Sequence, residues 1–344
     1  MIGPKKFLLR LNPFIESCDF KIVNPDKAGF LTLLKSYFSF KKSVIILRCD
    51  GVNFVRLSDE NIGAFCESRN WKFKRFLKFT VIIFGLNKAS VLFNLWLNRY
   101  SIFSYLLAKK IVFQSNLSKQ MYSNFIPFYT ELKNSVIINN GIGNITVNNY
   151  KLNHKFFSIC ISANPFRPHK RLLDAISIVS ELILLCPSLK FRLVVLGRVP
   201  EKFYGVLDRF MYIEHYTVLN DYDYLIKLSE CHILLSLALF DPCPNVVVEA
   251  LSLGLPVVTP EQSGAFELIN CNYDWSVNEE YELNYCDFQS QSFVAIKPEK
   301  REIYLKKIIK IIGNYEYHSQ LALNFSERLK IEKIADEYIE FAKS

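Results

Sequence analysis

Residues Phe240–Glu267 read FDPCPNVVVEALSLGLPVVTPEQSGAFE, and their pattern decides the fold. The run ahead of them, His232–Leu239 (HILLSLAL), is apolar enough for a buried strand. Asp241-Pro242-Cys243-Pro244 turns the chain. Pro244 suits the first helical position, where its missing N–H costs nothing. The helix is expected to run to about Leu253 and stop at Gly254, a residue that readily takes the left-handed conformation past a helix end. Pro256 follows, and LPVVT returns as a strand. Strand, helix and strand with short links form a βαβ unit, so the two strands are expected to be parallel.

The chemistry of this stretch lies at the front of its helix. The first N–H groups of a helix are unpaired and its dipole end there is positive, so Asn245 and Val246 can hold a phosphate. Glu249 sits in the second turn among apolar neighbours, where a carboxylate is awkward unless it faces a cleft. A ribose diol is a natural partner, because a carboxylate accepts two hydroxyl hydrogen bonds. Asp241 lies at the carboxyl end of the preceding strand, where open α/β sheets bind ligands. An ordinary buried βαβ unit with a solvated Glu249 explains the apolar runs. It does not explain the acid pair, the two prolines and the later Ser263-Gly264 and Glu267 together.

The stretch resembles the donor-binding signature of family 4 retaining glycosyltransferases, group 1 enzymes with the GT-B fold. The matching positions are Asp241, Glu249-Ala250, Gly254-Leu255-Pro256-Val257-Val258, Ser263-Gly264 and Glu267. Asp241 stands where the commonest family form has Glu, one methylene shorter, and Pro244-Asn245 replaces the usual turn glycine. The resemblance implies two doubly wound Rossmann-like α/β domains facing across a cleft. The expected division is 1–150 for the acceptor, 151–326 for the nucleotide-sugar, and a terminal helix at 327–344 packing back on the first domain.

Other segments fit this reading. Phe156–Ser162 is a strand, followed by Arg167-Pro168-His169-Lys170-Arg171 and a helix from Leu172 to about Cys186. Positive charge is unfavourable at a helix start, so these cations point to an anion. The resemblance makes Lys170 and Arg167 the groups that neutralise the leaving diphosphate, and Asp241 the contact to the donor sugar. It places Pro244, Asn245, Val246, Gly197, Tyr216 and Leu219 in the donor site and gives Glu249 the ribose. Gly197 ends the strand Phe191–Leu196; the Tyr212–Leu219 backbone is implied to read the base. In the first domain, strands are expected at Phe20–Val23, Ser43–Cys49, Ile111–Ser115 and Ser135–Asn139. The turn after the second of these holds Asp50, Gly51 and Asn53, an acceptor-side candidate as well as an ordinary turn. The polar run Gly143–Lys155 reads as the linker. Two helical patterns are expected after Pro298.

Composition sets the remaining bounds. The chain has 344 residues and is 50% hydrophobic, enough for two domains with large cores. Nine cysteines without a C-x-x-C pair argue against a zinc site or disulfide framework, and for a reducing cytosol. The N-terminal sequence is read as lacking a signal peptide. No metal or other cofactor is expected, because cations and a helix dipole can hold the diphosphate and no D-x-D motif is present. The formal charge is +9, and Arg69–Lys110 holds nine Lys or Arg with no Asp or Glu. Aromatic residues interleave those cations. This favours docking on an anionic membrane surface, with the alternative of core helices bearing a solvated basic face. No recognition motif supports nucleic-acid binding. The expected protein is cytoplasmic, peripheral on the inner face of the plasma membrane. It takes a nucleotide-sugar and a glycan or lipid-linked glycan acceptor, in cell-surface polysaccharide or lipopolysaccharide synthesis. A non-catalytic GT-B scaffold subunit at the membrane is the rival, since the first domain has no His before His154. A dehydrogenase and a P-loop enzyme fail for want of G-x-G-x-x-G and G-K-[ST].

Overall fold

The computed structural model describes residues 3–39, 44–51, 71–125, 134–143, 155–217, 219–281 and 295–344. Asn53, Arg69 and most of the expected linker lie outside them.

Strands β1 (Phe20–Val23), β2 (Val44–Cys49), β3 (Lys110–Phe113) and β4 (Asn134–Ile137) form one parallel sheet in that spatial order. The connecting helices are α2 (Lys27–Tyr37), α3 (Trp71–Leu97), α4 (Arg99–Leu107) and α5 (Asn116–Phe125). Crossovers of one hand that step in one direction put their helices on one face of a sheet. Accordingly Leu33, Tyr105, Met121 and Tyr122 pack with Ile45, Leu47, Ile111 and Phe113. Ile46 and Val112 point to the opposite face, as the two-residue period of a strand requires. That face is covered by α1 (Gly3–Ile15) through Phe7 and Leu11, and by the C-terminal helix through Ile334 and Tyr338.

The second sheet has the order β10-β9-β8-β5-β6-β7, all parallel. Its strands are β5 (Phe157–Ser162), β6 (Phe191–Leu196), β7 (Ile213–Tyr216), β8 (Ile233–Leu235), β9 (Val257–Pro260) and β10 (Ser276–Val277). The chain enters at the centre, runs to one edge, then returns to the other side of β5. The reversal falls between β5 and β8, the kind of crevice where open α/β sheets hold ligands. Helices α6 (Leu172–Leu185), α7 (Tyr204–Leu207), α8 (Asp221–Ser229), α9 (Asn245–Ser252) and α10 (Gly264–Leu268) connect these strands.

Three helices, not two, follow Pro298: α11 (Pro298–Gly313), α12 (Tyr315–Ser326) and α13 (Ile331–Lys343). The breaks fall at Asn314, which leaves helical geometry, and at Lys330, which is extended. At the second break the chain returns to the first sheet beside the segment that left it. Ile142 N–H donates to Leu329 O at 2.9 Å, and Ile331 N–H donates to Ile142 O at 2.9 Å. The helix α1 was not anticipated, because Pro4 and Pro13 interrupt its apolar pattern. The stretch Trp71–Leu97 is broken at Gly85, whose φ is 73° and ψ 167°.

Candidate active site

The strand–helix–strand unit at the switch point forms as its pattern predicts, with one shift at the helix start. Pro244 (φ −69°, ψ 117°) is the extended residue ahead of α9 rather than its first residue. The proline φ serves either position, so the sequence could not separate them. Gly254 ends the helix with φ 75°. Ahead of α9, Asp241 ion-pairs with Lys170. Gly264 holds this turn in place. A Cβ there would lie 1.7 Å from Pro242 O, and its N–H donates to Asp241 O at 2.8 Å. Only glycine lets the two backbones approach so closely.

The loop expected to meet a diphosphate, Arg167-Pro168-His169-Lys170, holds a short 3₁₀ turn between β5 and α6. Arg167 is exposed at its start. Phe166 N–H donates to Arg198 O at 2.8 Å, joining this loop to the end of β6. Gly197 (φ 122°) allows that contact, because a Cβ would meet Ala163 O at 1.9 Å. Burial, reinforced by Lys170 and Arg167 against the opposing Asp241, lowers the His169 pKa to about 4. His169 is therefore a neutral imidazole at neutral pH, beside the Lys170–Asp241 pair, a role the sequence did not reveal. Arg171 leaves the site altogether. Its left-handed backbone (φ 58°) turns the side chain inward to Glu279 at 2.7 Å, where Tyr304 also donates at 2.7 Å.

Glu249 is 2% exposed. Two first-domain cations from α1 meet its Oε1: Lys6 Nζ at 2.9 Å and Arg10 Nη2 at 2.6 Å. A buried carboxylate needs such partners. No local signal could have found them, since Arg10 and Glu249 are 239 residues apart. Tyr216 OH donates to Glu214 at 3.1 Å, and its backbone carbonyl accepts from Gly197 N–H at 2.9 Å. Leu219 packs against the second-domain core. Tyr216 thus ends the edge strand β7, and Leu219 follows it ahead of α8.

The first domain closes over the same loop. A Cβ on Gly51 would meet Pro242 Cγ at 2.7 Å, so the Asp50-Gly51 turn lies against the Asp241 turn. Asp50 pairs with the fully buried Arg48 and accepts from Gln114. Burial raises its pKa, with Arg48 opposing and Asp26 adding. Asn140 Nδ2 donates to Cys243 O at 3.1 Å and to Asn245 Oδ1 at 2.9 Å. Glu267 accepts from the N–H groups of Asn116 and Leu117, at 2.8 and 3.0 Å, and so caps α5. Both contacts cross between the domains; the sequence puts Asn245 in the donor site and Glu267 in the family signature but gives no sign of either contact.

No protein-family model matches the chain, and no curated protein matches it. Solved structures do. The chain is similar to the pneumococcal O-GlcNAc transferase GtfA in complex with UDP and GlcNAc, at 12% identity and TM-score 0.58 over 96% of this chain. It spans 59% of the length of that protein. It is similar to Anabaena Alr3699/HepE in complex with UDP and glucose, at 16% identity and TM-score 0.56, over 94% of this chain and 77% of that one. It is also similar to sucrose-phosphate synthase from Thermosynechococcus elongatus, at 10% identity and TM-score 0.59, over 100% of this chain and 80% of that one. At these identities the likeness establishes the fold. The two parallel α/β sheets facing across a crevice are the GT-B arrangement.

Proposed function

We propose that this chain is a retaining glycosyltransferase of the family 4 type. It would move a sugar from a nucleotide-sugar to a glycan or lipid-linked glycan in cell-surface polysaccharide synthesis. The observation that carries the reading is the gathering of Lys170, Asp241 and Glu249 around the start of α9, at the strand-order reversal. A diphosphate at that helix start would meet the positive end of the α9 dipole and the Lys170 ammonium. Glu249 would take the ribose, and Asp241 the sugar hydroxyls. When the bond from the anomeric carbon to the diphosphate oxygen breaks, the oxygen keeps the electron pair. Lys170, Arg167 and the helix dipole stabilise that growing charge, and the acceptor hydroxyl oxygen bonds the same carbon on the face the diphosphate left, its proton passing to the departing diphosphate oxygen. GtfA and HepE were solved with UDP, which puts uridine nucleotides first among the donors to try.

Thermal unfolding of the full chain against UDP-, GDP-, ADP- and dTDP-sugars tests this. One nucleotide is expected to stabilise the fold, by about 2.7 kcal/mol at a hundredfold excess over Kd. Glu249→Gln and Lys170→Ala are expected to lose the effect. No stabilisation by any donor above about 1 mM would leave the scaffold reading in its place.

The membrane is the second partner in this proposal. No helix among the described residues is long and apolar enough to cross one. Before the Gly85 break, α3 exposes Phe79 (62%), Ile82 (82%) and Ile83 (52%), and α4 exposes Phe103 and Leu106. Apolar side chains beside a segment with nine cations and no acid suit an anionic bilayer surface. The chain is expected to sediment with vesicles of 30% phosphatidylglycerol in phosphatidylcholine, about tenfold less so in high salt or as Phe79→Ser/Ile82→Ser. Equal partition onto pure phosphatidylcholine, or none onto either vesicle, would exclude this surface as the docking face.

A further inference from the structure

We infer that Lys6 and Arg10 belong to the donor site. They pair with Glu249 here, and would face the diphosphate of a nucleotide whose ribose takes that carboxylate. The inference rests on reading Glu249 as the ribose carboxylate.

Three observations carry it. First, both cations converge on a single oxygen, Glu249 Oε1, at 2.9 and 2.6 Å. One buried carboxylate balances one cation, so the buried part of the cluster carries surplus positive charge. The other acid in reach, Asp221, is 3.7 Å from Lys6 and its side chain is 64% exposed, where water screens it. Second, Arg10 Nη1 is buried with no acceptor among the described residues. A guanidinium N–H shut away from water without a partner is costly, and an anion supplies the missing acceptor. Third, the distance fits. Glu249 lies four residues past Asn245, so it sits about 6 Å along α9 from the helix start. A nucleotide with its ribose at Glu249 and its diphosphate at Asn245 passes within reach of side chains that already touch Glu249.

The arrangement also explains why α1 is placed as it is. The helix is anchored on the first sheet by Phe7 and Leu11, and the ring of Phe7 stacks under the Arg48 guanidinium at 4.5 Å. Lys6 lies 5.2 Å over the Tyr224 ring of the second domain. The two cations thus start from a fixed helix and end in the opposite domain, so donor recognition is shared across the crevice.

Calorimetric titration of the full chain with UDP, GDP, ADP and dTDP, each beside its nucleoside, separates the outcomes. The variants are Lys6→Met, Arg10→Lys and Lys6→Met/Arg10→Gln; Arg10→Lys keeps the charge and Lys6→Met leaves one cation on Glu249, so both retain a partner for the buried carboxylate. For the diphosphate that the wild type binds, the double variant is expected to raise Kd about tenfold or more, with nucleoside affinity unchanged, and Arg10→Lys to fall between. Unchanged diphosphate affinity in all three variants would overturn the inference. Tighter binding of diphosphate and nucleoside alike would make α1 a latch and overturn it too. If the wild type binds none of the four diphosphates, the donor-site reading itself fails, and this inference with it.

Discussion

Arg171→Met is expected to lower the unfolding free energy by about 3–5 kcal/mol, the usual loss when one partner of a buried ion pair is removed. The Arg171 and Glu279 side chains are each 1% exposed and 2.7 Å apart. Arg171 also donates to Leu237 O at 3.3 Å, in the segment that runs from β8 toward Asp241. Without it, Glu279 would keep its charge in the core with Tyr304 as its remaining side-chain partner among the described residues. The pair need not add net stability over apolar residues of the same size, because two charges were taken out of water to form it. The double variant Arg171→Met/Glu279→Gln is therefore expected to recover more than half of the single loss. Urea denaturation of the wild type, the single variants and the double closes the cycle. A single-variant loss under about 1 kcal/mol would show the pair to behave as a surface one.

Gly264→Ala is expected to remove nucleotide stabilisation, and to cost about 1–3 kcal/mol of fold stability from overpacking. The added methyl would sit 1.7 Å from Pro242 O, 2.4 Å from Pro242 C and 3.0 Å from Asp241 O. All three are backbone atoms, so no rotamer change relieves the clash. The chain must move Asp241 away from Lys170 and shift the residues that lead into α9. Gly313→Ala is the control, since nothing lies within 4 Å of a Cβ there; it is expected to change stability by less than about 1 kcal/mol in either direction. Urea denaturation and nucleotide-dependent melting measure both variants. Full nucleotide stabilisation in Gly264→Ala would show that the Asp241 turn does not depend on that contact.

The second sheet was the more legible half. Its central strands are largely buried on both faces, so they read as mostly apolar runs such as Phe191–Leu196, with Arg192 the one charged position, found at the same residues in the structure. The βαβ unit around Glu249 declared itself through turn residues and caps, which act over a few positions. The first sheet is built from four-residue strands at β1, β3 and β4, too short for a clear period. Its α1 was hidden by two prolines. At the site, Lys170 and Asp241 were each legible from a loop and a turn that carried a pattern, but their ion pair, 71 residues apart in sequence, was not. Nor were the partners of Glu249, the capping of α5 by Glu267 and the bonds from Asn140 to Cys243 and Asn245. They join residues far apart in sequence, and nothing in the residue types alone says which distant charges will meet. Arg171 shows the opposite error. It sits among cations that suit an anion, yet one left-handed backbone angle sends it into the core.

The packing of α13 on the first sheet sets an order for biosynthesis. Ile46 and Val112 are covered by residues of a helix that begins at Ile331, while the last strand of that sheet ends at Ile137. At about 5–20 residues per second, a ribosome needs roughly 10–40 s to make the intervening chain. Throughout that interval α1 is the one element already made that shields this apolar face among the described residues. The nascent first half therefore exposes a sticky surface until the second half has been made, the condition under which unfinished domains aggregate unless held apart.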